Sequence, residues 1–135
     1  MELPSGIVKT EKRNEGWQPK PYRCSEGYLT IGYGTNIERI SKKEGELLLM
    51  SRLEDIVKYD IPQLPEYETL TENRKIVYLD MLYNLGLLKF KTFRRMRKCV
   101  YEHRWEDAAN EILDSKYAQQ VGKRANENAR LMRQG

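Results

Sequence analysis

The chain predicts a mostly helical α+β fold with a small N-terminal β-hairpin lobe and a long linker helix. Three observations carry that reading. Tyr22 to Tyr33 places strand-favouring Tyr28, Thr30 and Ile31 after a Ser25-Glu26-Gly27 turn. From Ser41 onward, capping residues alternate with apolar side chains at helical spacing. A length of 135 residues matches one domain and is enough for a real core.

The elements follow in order. Residues 5 to 14 predict a short helix, capped by Ser5 and stopped by Gly16. Only Ile7 and Val8 are clearly apolar there, so that helix must lean on tertiary contacts. Trp17 to Pro21 holds Pro19 and Pro21 and is extended or turning. The hairpin comes next, with Gly32 and Gly34 flanking Tyr33. Two readings stay open for these glycines: a tight bend, or close approach of a ligand to backbone. Ser41 with Glu44 forms a capping-box pattern, and a helix runs on to about Tyr59. Its face is Leu49, Leu53, Ile56 and Val57, with Asp60 on the following turn. Pro62 and Pro65 end it. Thr71 caps a helix reaching Leu85 before Gly86, with a face of Asn73, Val77, Asp80, Met81 and Asn84, and Asn84 falls near the apolar stripe. Asn84 is either a buried, hydrogen-bonded brace or a ligand contact. Further helices are expected at about Phe93 to Glu102, Trp105 to Ser115 and Asn126 to Arg133.

Composition narrows the function classes. The interspersed charges, 33% of the chain, make a well-solvated surface, and the regular apolar spacing excludes disorder. The net charge of +4 is modest, but Lys89, Lys91, Arg94, Arg95, Arg97 and Lys98 form a basic run. It is either a solvated helix face or a patch attracting a polyanion such as nucleic acid or an anionic cell wall. Nothing resembles a zinc-finger spacing or a GXXG loop, so nucleic acid is not the expected partner. Cys24 and Cys99 are too few for a disulfide framework, and with His103 alone they make no metal site. No cofactor is expected. No long apolar run and no signal-like start at Met1-Glu2-Leu3-Pro4 are present, so no membrane anchor is expected either.

The chemistry gathers in the first quarter. A carboxyl such as Glu15, set between a helix end and an apolar hairpin, can lose solvent and serve as a proton donor near neutral pH. Glycoside hydrolysis needs such an acid on the bridging oxygen and a second group for the water or the sugar carbon. Glu15 stands before Gly16, Cys24 follows nine positions later, and Thr30 six after that, inside Gly27-Tyr28-Leu29-Thr30-Ile31-Gly32-Tyr33-Gly34.

This constellation resembles the active-site segment of the phage-type lysozymes, the T4-like endolysins. The resemblance continues through Asn84-Leu85-Gly86, Phe93, the Arg104-Trp105-Glu106-Asp107-Ala108-Ala109 stretch and Gln120-Val121-Gly122-Lys123-Arg124-Ala125. It implies a lysozyme-like fold in one domain, residues 1–135. The hairpin lobe would span about 15–60, and the helical lobe about 61–135 plus the first helix. It makes Glu15 the general acid, with Cys24 and Thr30 handling water on the far face of the sugar. Cysteine is a permitted variant where the best-known members carry aspartate. Tyr28, Tyr33, Asn84 and Arg124 become substrate-binding candidates, and the resemblance pairs Arg124 with Glu15. Thr35 replaces the histidine that often follows the last glycine, and Asn14 and Glu127 lack the charges for an ion pair seen in other members.

The implied activity is hydrolysis of the β-1,4 bond between N-acetylmuramic acid and N-acetylglucosamine in bacterial peptidoglycan. The implied role is host lysis by a monomer that waits in the host cytoplasm. It would reach the periplasm and wall through a separate pore-forming protein. Two alternatives are a catalytically silent wall-binding homologue, suggested by Cys24, and a helical nucleic-acid binder using residues 89–98.

Overall fold

The computed structural model describes residues 2–135, and the chain folds as two compact units, Met1–Leu48 and Leu49–Gly135. The first helix lies within the first unit.

The first unit opens with helix α1, Ile7–Glu15. Gly6, not Ser5, is its N-cap, and no side chain caps it. A left-handed Gly6 turns the chain into the helix, so the Ser5 hydroxyl has no capping role. Gly16 ends α1 as expected, its N–H bonded to the Lys12 carbonyl. Strands β1 (Gln18–Arg23), β2 (Leu29–Gly32) and β3 (Thr35–Asn36) form an antiparallel sheet in that order. The expected hairpin is therefore a three-stranded sheet, and Trp17 to Pro21 feeds its first strand. Pro19 and Pro21 sit in β1, an edge strand whose register is irregular between Gln18 and Tyr22. An edge with a bulge is where missing N–H donors cost least. Among the described residues of this unit, only Thr30 is buried.

Helix α2, Lys42–Asp55, carries the unit boundary within it. Its capping box is as expected: Glu44 N–H donates to Ser41 Oγ (3.1 Å) and Ser41 N–H to Glu44 Oε1 (2.9 Å). A π-helical turn, Ile56–Asp60, then leads into two short 3-10 turns, Ile61–Gln63 and Pro65–Thr69, with Pro62 and Pro65 at their starts. No residue of α2 is buried.

The second unit holds α3 (Glu72–Leu85), α4 (Leu87–Lys91), α5 (Arg94–Tyr101), α6 (Trp105–Leu113), α7 (Lys116–Val121) and α8 (Lys123–Gln134). Thr71 caps α3 by accepting from Arg74 N–H, and Gly86 closes it at φ +82°. Helices α4 and α7 escape the sequence reading because five or six residues are too few to show a period. Tyr78 centres the core, with Phe90 edge-on at 4.8 Å. Where α6 meets α8, Ala108, Ala109, Ala125 and Ala129 are all buried, and their small side chains let the helices approach closely. Met81, Ile112 and Met132 fill the remaining space.

Two buried charges brace this core. Glu66, 3% exposed, accepts from Arg97 Nε (2.6 Å), Arg97 Nη2 (3.1 Å) and Tyr78 Oη (3.0 Å). Burial pushes its carboxyl up, but Arg97 and the other donors outweigh that and hold it below the usual range. Arg74 donates to the Met132 and Arg133 carbonyls (2.8 and 3.2 Å) and lies 3.8 Å over the Trp105 ring. It thereby satisfies carbonyls that α8 leaves open at its C-terminus.

Candidate active site

The sheet sorts the hairpin residues by face. Tyr22 pairs with Thr30, and Thr30 with Asn36, so these three side chains share one face. Cys24 and Tyr28, joined by Cys24 N–H to the Tyr28 carbonyl (2.9 Å), continue it by alternation. Leu29, Ile31 and Thr35 take the other face. Two of the expected catalytic residues, Cys24 and Thr30, are thus brought together with Tyr28.

The Cys24 site is built by a turn. Gly27 N–H donates to the Cys24 carbonyl (2.9 Å), with Gly27 left-handed at φ +87°. Cys24 therefore occupies the first turn position, where Asp or Asn ordinarily takes the N–H two residues on. The Glu26 N–H and then the Tyr28 N–H draw the Cys24 thiol down from its usual pKa; desolvation opposes them, and the Thr30 hydroxyl helps. Thr30 Oγ1 also donates to the Tyr28 carbonyl (2.9 Å). A half-buried thiol stabilised as the anion is a proton acceptor beside a hydroxyl.

Glu15 ends α1, and its carboxyl lies over the backbone of Gly34. A β-carbon on Gly34, at φ +75°, would stand 2.7 Å from Glu15 Cδ. What approaches this glycine closely is thus a side chain of the same unit, Glu15. The other glycine, Gly32, lies beneath Trp17 at ordinary contact distance. Trp17, 61% exposed, packs on Tyr33, 43% exposed, with ring centres 5.1 Å apart, and Lys12 Nζ lies 5.5 Å from the Tyr33 ring.

Asn84 and Arg124 belong to the second unit. Asn84 is exposed, so it is not the buried brace that one reading allowed; it faces outward at the end of α3. Arg124 grips Asp80: Nε lies 2.9 Å from Oδ2 and Nη2 lies 2.7 Å from Oδ1. Asn128 joins Asp80 to Tyr117 at 2.9 and 3.0 Å. Burial raises the Asp80 carboxyl, but Arg124 and Asn128 bring it below its ordinary value. Sequence missed this Asp80 partnership because 44 residues separate the pair. The basic run divides. Arg97 turns inward to Glu66, whereas Lys89, Arg94 and Arg95 border a groove of about 610 Å³ with Phe93, Lys116 and Tyr117.

Among the described residues, no three His, Cys, Asp or Glu side chains gather to hold a metal ion, and no helix is long and apolar enough to cross a membrane.

A small three-stranded sheet at the start of an otherwise helical chain accords with a lysozyme-type glycoside hydrolase, and that is the enzyme class of this protein. The family description for phage lysozyme matches residues 12–132, and the chain belongs to that family. Two curated relatives, both from Dictyostelium discoideum, are similar along nearly their full length. One, described as probable T4-type lysozyme 1, is 27% identical, with 90% of each chain covered. The other, probable T4-type lysozyme 2, is 25% identical, also with 90% of each covered.

Proposed function

We propose that this protein is a muramidase that cleaves the β-1,4 bond between N-acetylmuramic acid and N-acetylglucosamine in bacterial peptidoglycan. Glu15 gives its proton to the bridging oxygen as the bond to the sugar carbon breaks. The Cys24 thiolate takes a proton from a water that Thr30 holds on the far face, and that water's oxygen forms the new bond. Attack from the far face inverts the sugar carbon. Solvent then returns a proton to Glu15 and removes one from Cys24. The observation that carries this reading is the sheet geometry, which sets Cys24 beside Thr30 on one face of the unit whose Glu15 carboxyl lies over Gly34.

Tyr28, Tyr33, Asn84 and Arg124 are the proposed substrate contacts. Arg94 and Arg95, on the groove of the second unit, suit the anionic groups of the wall. The biological role is that of an endolysin, acting as a monomer and held in the host cytoplasm until a separate pore-forming protein admits it to the periplasm and wall. The family supports that role.

The test is loss of turbidity of chloroform-treated Gram-negative cells. Glu15→Gln is expected to slow it by roughly 10²- to 10⁴-fold, the usual contribution of a positioned acid. Equal rates for the two proteins would overturn Glu15 as the acid.

A further inference from the structure

Asn36 stands directly opposite Thr30 in the β2–β3 pair. Opposed residues of an antiparallel pair share a face, with β-carbons about 5 Å apart. Asn36 is therefore beside the Thr30 hydroxyl, on the face that also bears Cys24. Its Oδ1 accepts the Glu38 N–H at 2.9 Å, and the Glu38 carboxylate accepts the Leu29 N–H at 2.7 Å. This strap ties β3 back to β2 and fixes the carboxamide by its oxygen. The amide NH₂ points away from that bond, and it has no hydrogen-bond acceptor among the described residues.

Holding the strap requires only an oxygen. Asp or Ser at this position would accept the Glu38 N–H as well. What Asn36 adds is a pure donor, half-buried and oriented, on the Thr30 face. A pure donor selects an acceptor. Hydroxyl groups of a sugar both donate and accept, so they discriminate poorly. The strong neutral acceptor that distinguishes an N-acetyl hexosamine is its acetamido carbonyl.

We propose that Asn36 is a specificity-determining residue: its Nδ2 donates to the acetamido carbonyl oxygen of the glycan and makes the enzyme prefer N-acetylated over de-N-acetylated strands. This rests on the muramidase reading above.

The test compares the full chain with Asn36→Ser, both carrying Glu15→Gln to stop turnover. Soluble glycan strands, N-acetylated or chemically stripped of acetyl groups, are titrated by calorimetry. The preference for acetylated strands is expected to fall about tenfold in Asn36→Ser, the scale of one neutral hydrogen bond. The melting temperature should not move, because Ser Oγ keeps the Glu38 strap. An unchanged preference, with affinity either intact or lowered equally for both strands, would make Asn36 a purely structural residue. Binding of neither strand by the chain with Asn36 intact would remove the muramidase reading and this inference with it. Binding of acetylated strands with an unaltered preference in Asn36→Ser would remove the inference alone.

Discussion

The two units divide the physical work between them. The second unit contains every buried apolar side chain among the described residues, whereas the first buries only Thr30. The second spends its charges on closure: Arg97 meets Glu66, Arg124 meets Asp80, and Arg74 caps α8. The first leaves its polar groups turned to a face, with sulfur, hydroxyl and carboxamide on the same side of the sheet. A three-stranded sheet this small cannot be held by apolar burial. It is held by turn chemistry instead, namely Gly27, the Glu38 strap and the seat of Glu15 on Gly34. Stability and reactivity should therefore respond to different substitutions.

The largest effect expected from breaking this division lies in the second unit. Arg97→Met leaves the Glu66 carboxyl buried with only Tyr78 as its side-chain donor. Loss of one partner of a buried pair is strongly destabilising, and the partial exposure of Arg97 puts the cost at about 3 kcal/mol. In the wild type, the Glu66 pKa is depressed on folding. Its stabilisation is present above the unfolded value of about 4.3 and is lost as pH falls through the folded value. Without Arg97, desolvation raises that pKa instead, so the penalty is greatest at neutral pH and shrinks on acidification. Urea unfolding at several pH values checks this. A penalty independent of pH would show that Arg97 contributes packing rather than charge. Turnover by the folded fraction should be unchanged.

The middle-sized effect lies in the first unit and touches chemistry without stability. Cys24→Ser removes the ionisable group but keeps an oxygen for the Glu26 and Tyr28 N–H groups. Activity is expected to fall roughly 10²-fold, the low end for a lost general base, with little change in melting temperature. Cys24→Asp should retain much of it, since a carboxylate suits the same turn position. The wild-type rate should rise with pH around a value below that of a free thiol, about 8.5, and this limb should vanish in Cys24→Asp. Full activity in Cys24→Ser would refute the thiolate base. NMR of the products should show inversion at the sugar carbon; retention would point to sulfur attacking carbon directly.

Local signals were legible in the sequence, and distant pairings were not. The Ser41–Glu44 box, the Thr71 cap and the Gly86 stop were readable because each involves residues within one turn. The hairpin bearing Cys24 and Thr30 was readable from its turn and strand formers, although the two-residue β3 was too short to signal itself. The amide cradle around Cys24 was hidden because cysteine is not an ordinary turn acceptor. Glu66 with Arg97, and Asp80 with Arg124, were hidden because nothing in a charged residue names a partner 31 or 44 positions away. Proline misleads for a related reason: Pro19 and Pro21 exclude a central strand but not an edge, and only the sheet order decides which one β1 is.

The smallest expected effect compares two helix caps, one in each unit. Ser41 takes part in a reciprocal pair with Glu44, at 3.1 and 2.9 Å, whereas Thr71 accepts a single long bond of 3.4 Å from Arg74. Ser41→Ala removes a well-formed acceptor and frees the Glu44 side chain from its place, so it should destabilise α2 by about 1 kcal/mol. Thr71→Ala removes a bond at the edge of useful distance, and α3 is already anchored by buried Val77, Tyr78 and Met81. Its cost should be about half as large. Amide hydrogen exchange at the first turns of α2 and α3 separates the two, because α2, with no buried residue, has only its cap to resist fraying. If exchange quickens equally in both helices, burial is not what makes the second unit insensitive to its cap, and the contrast between the units holds for their chemistry alone.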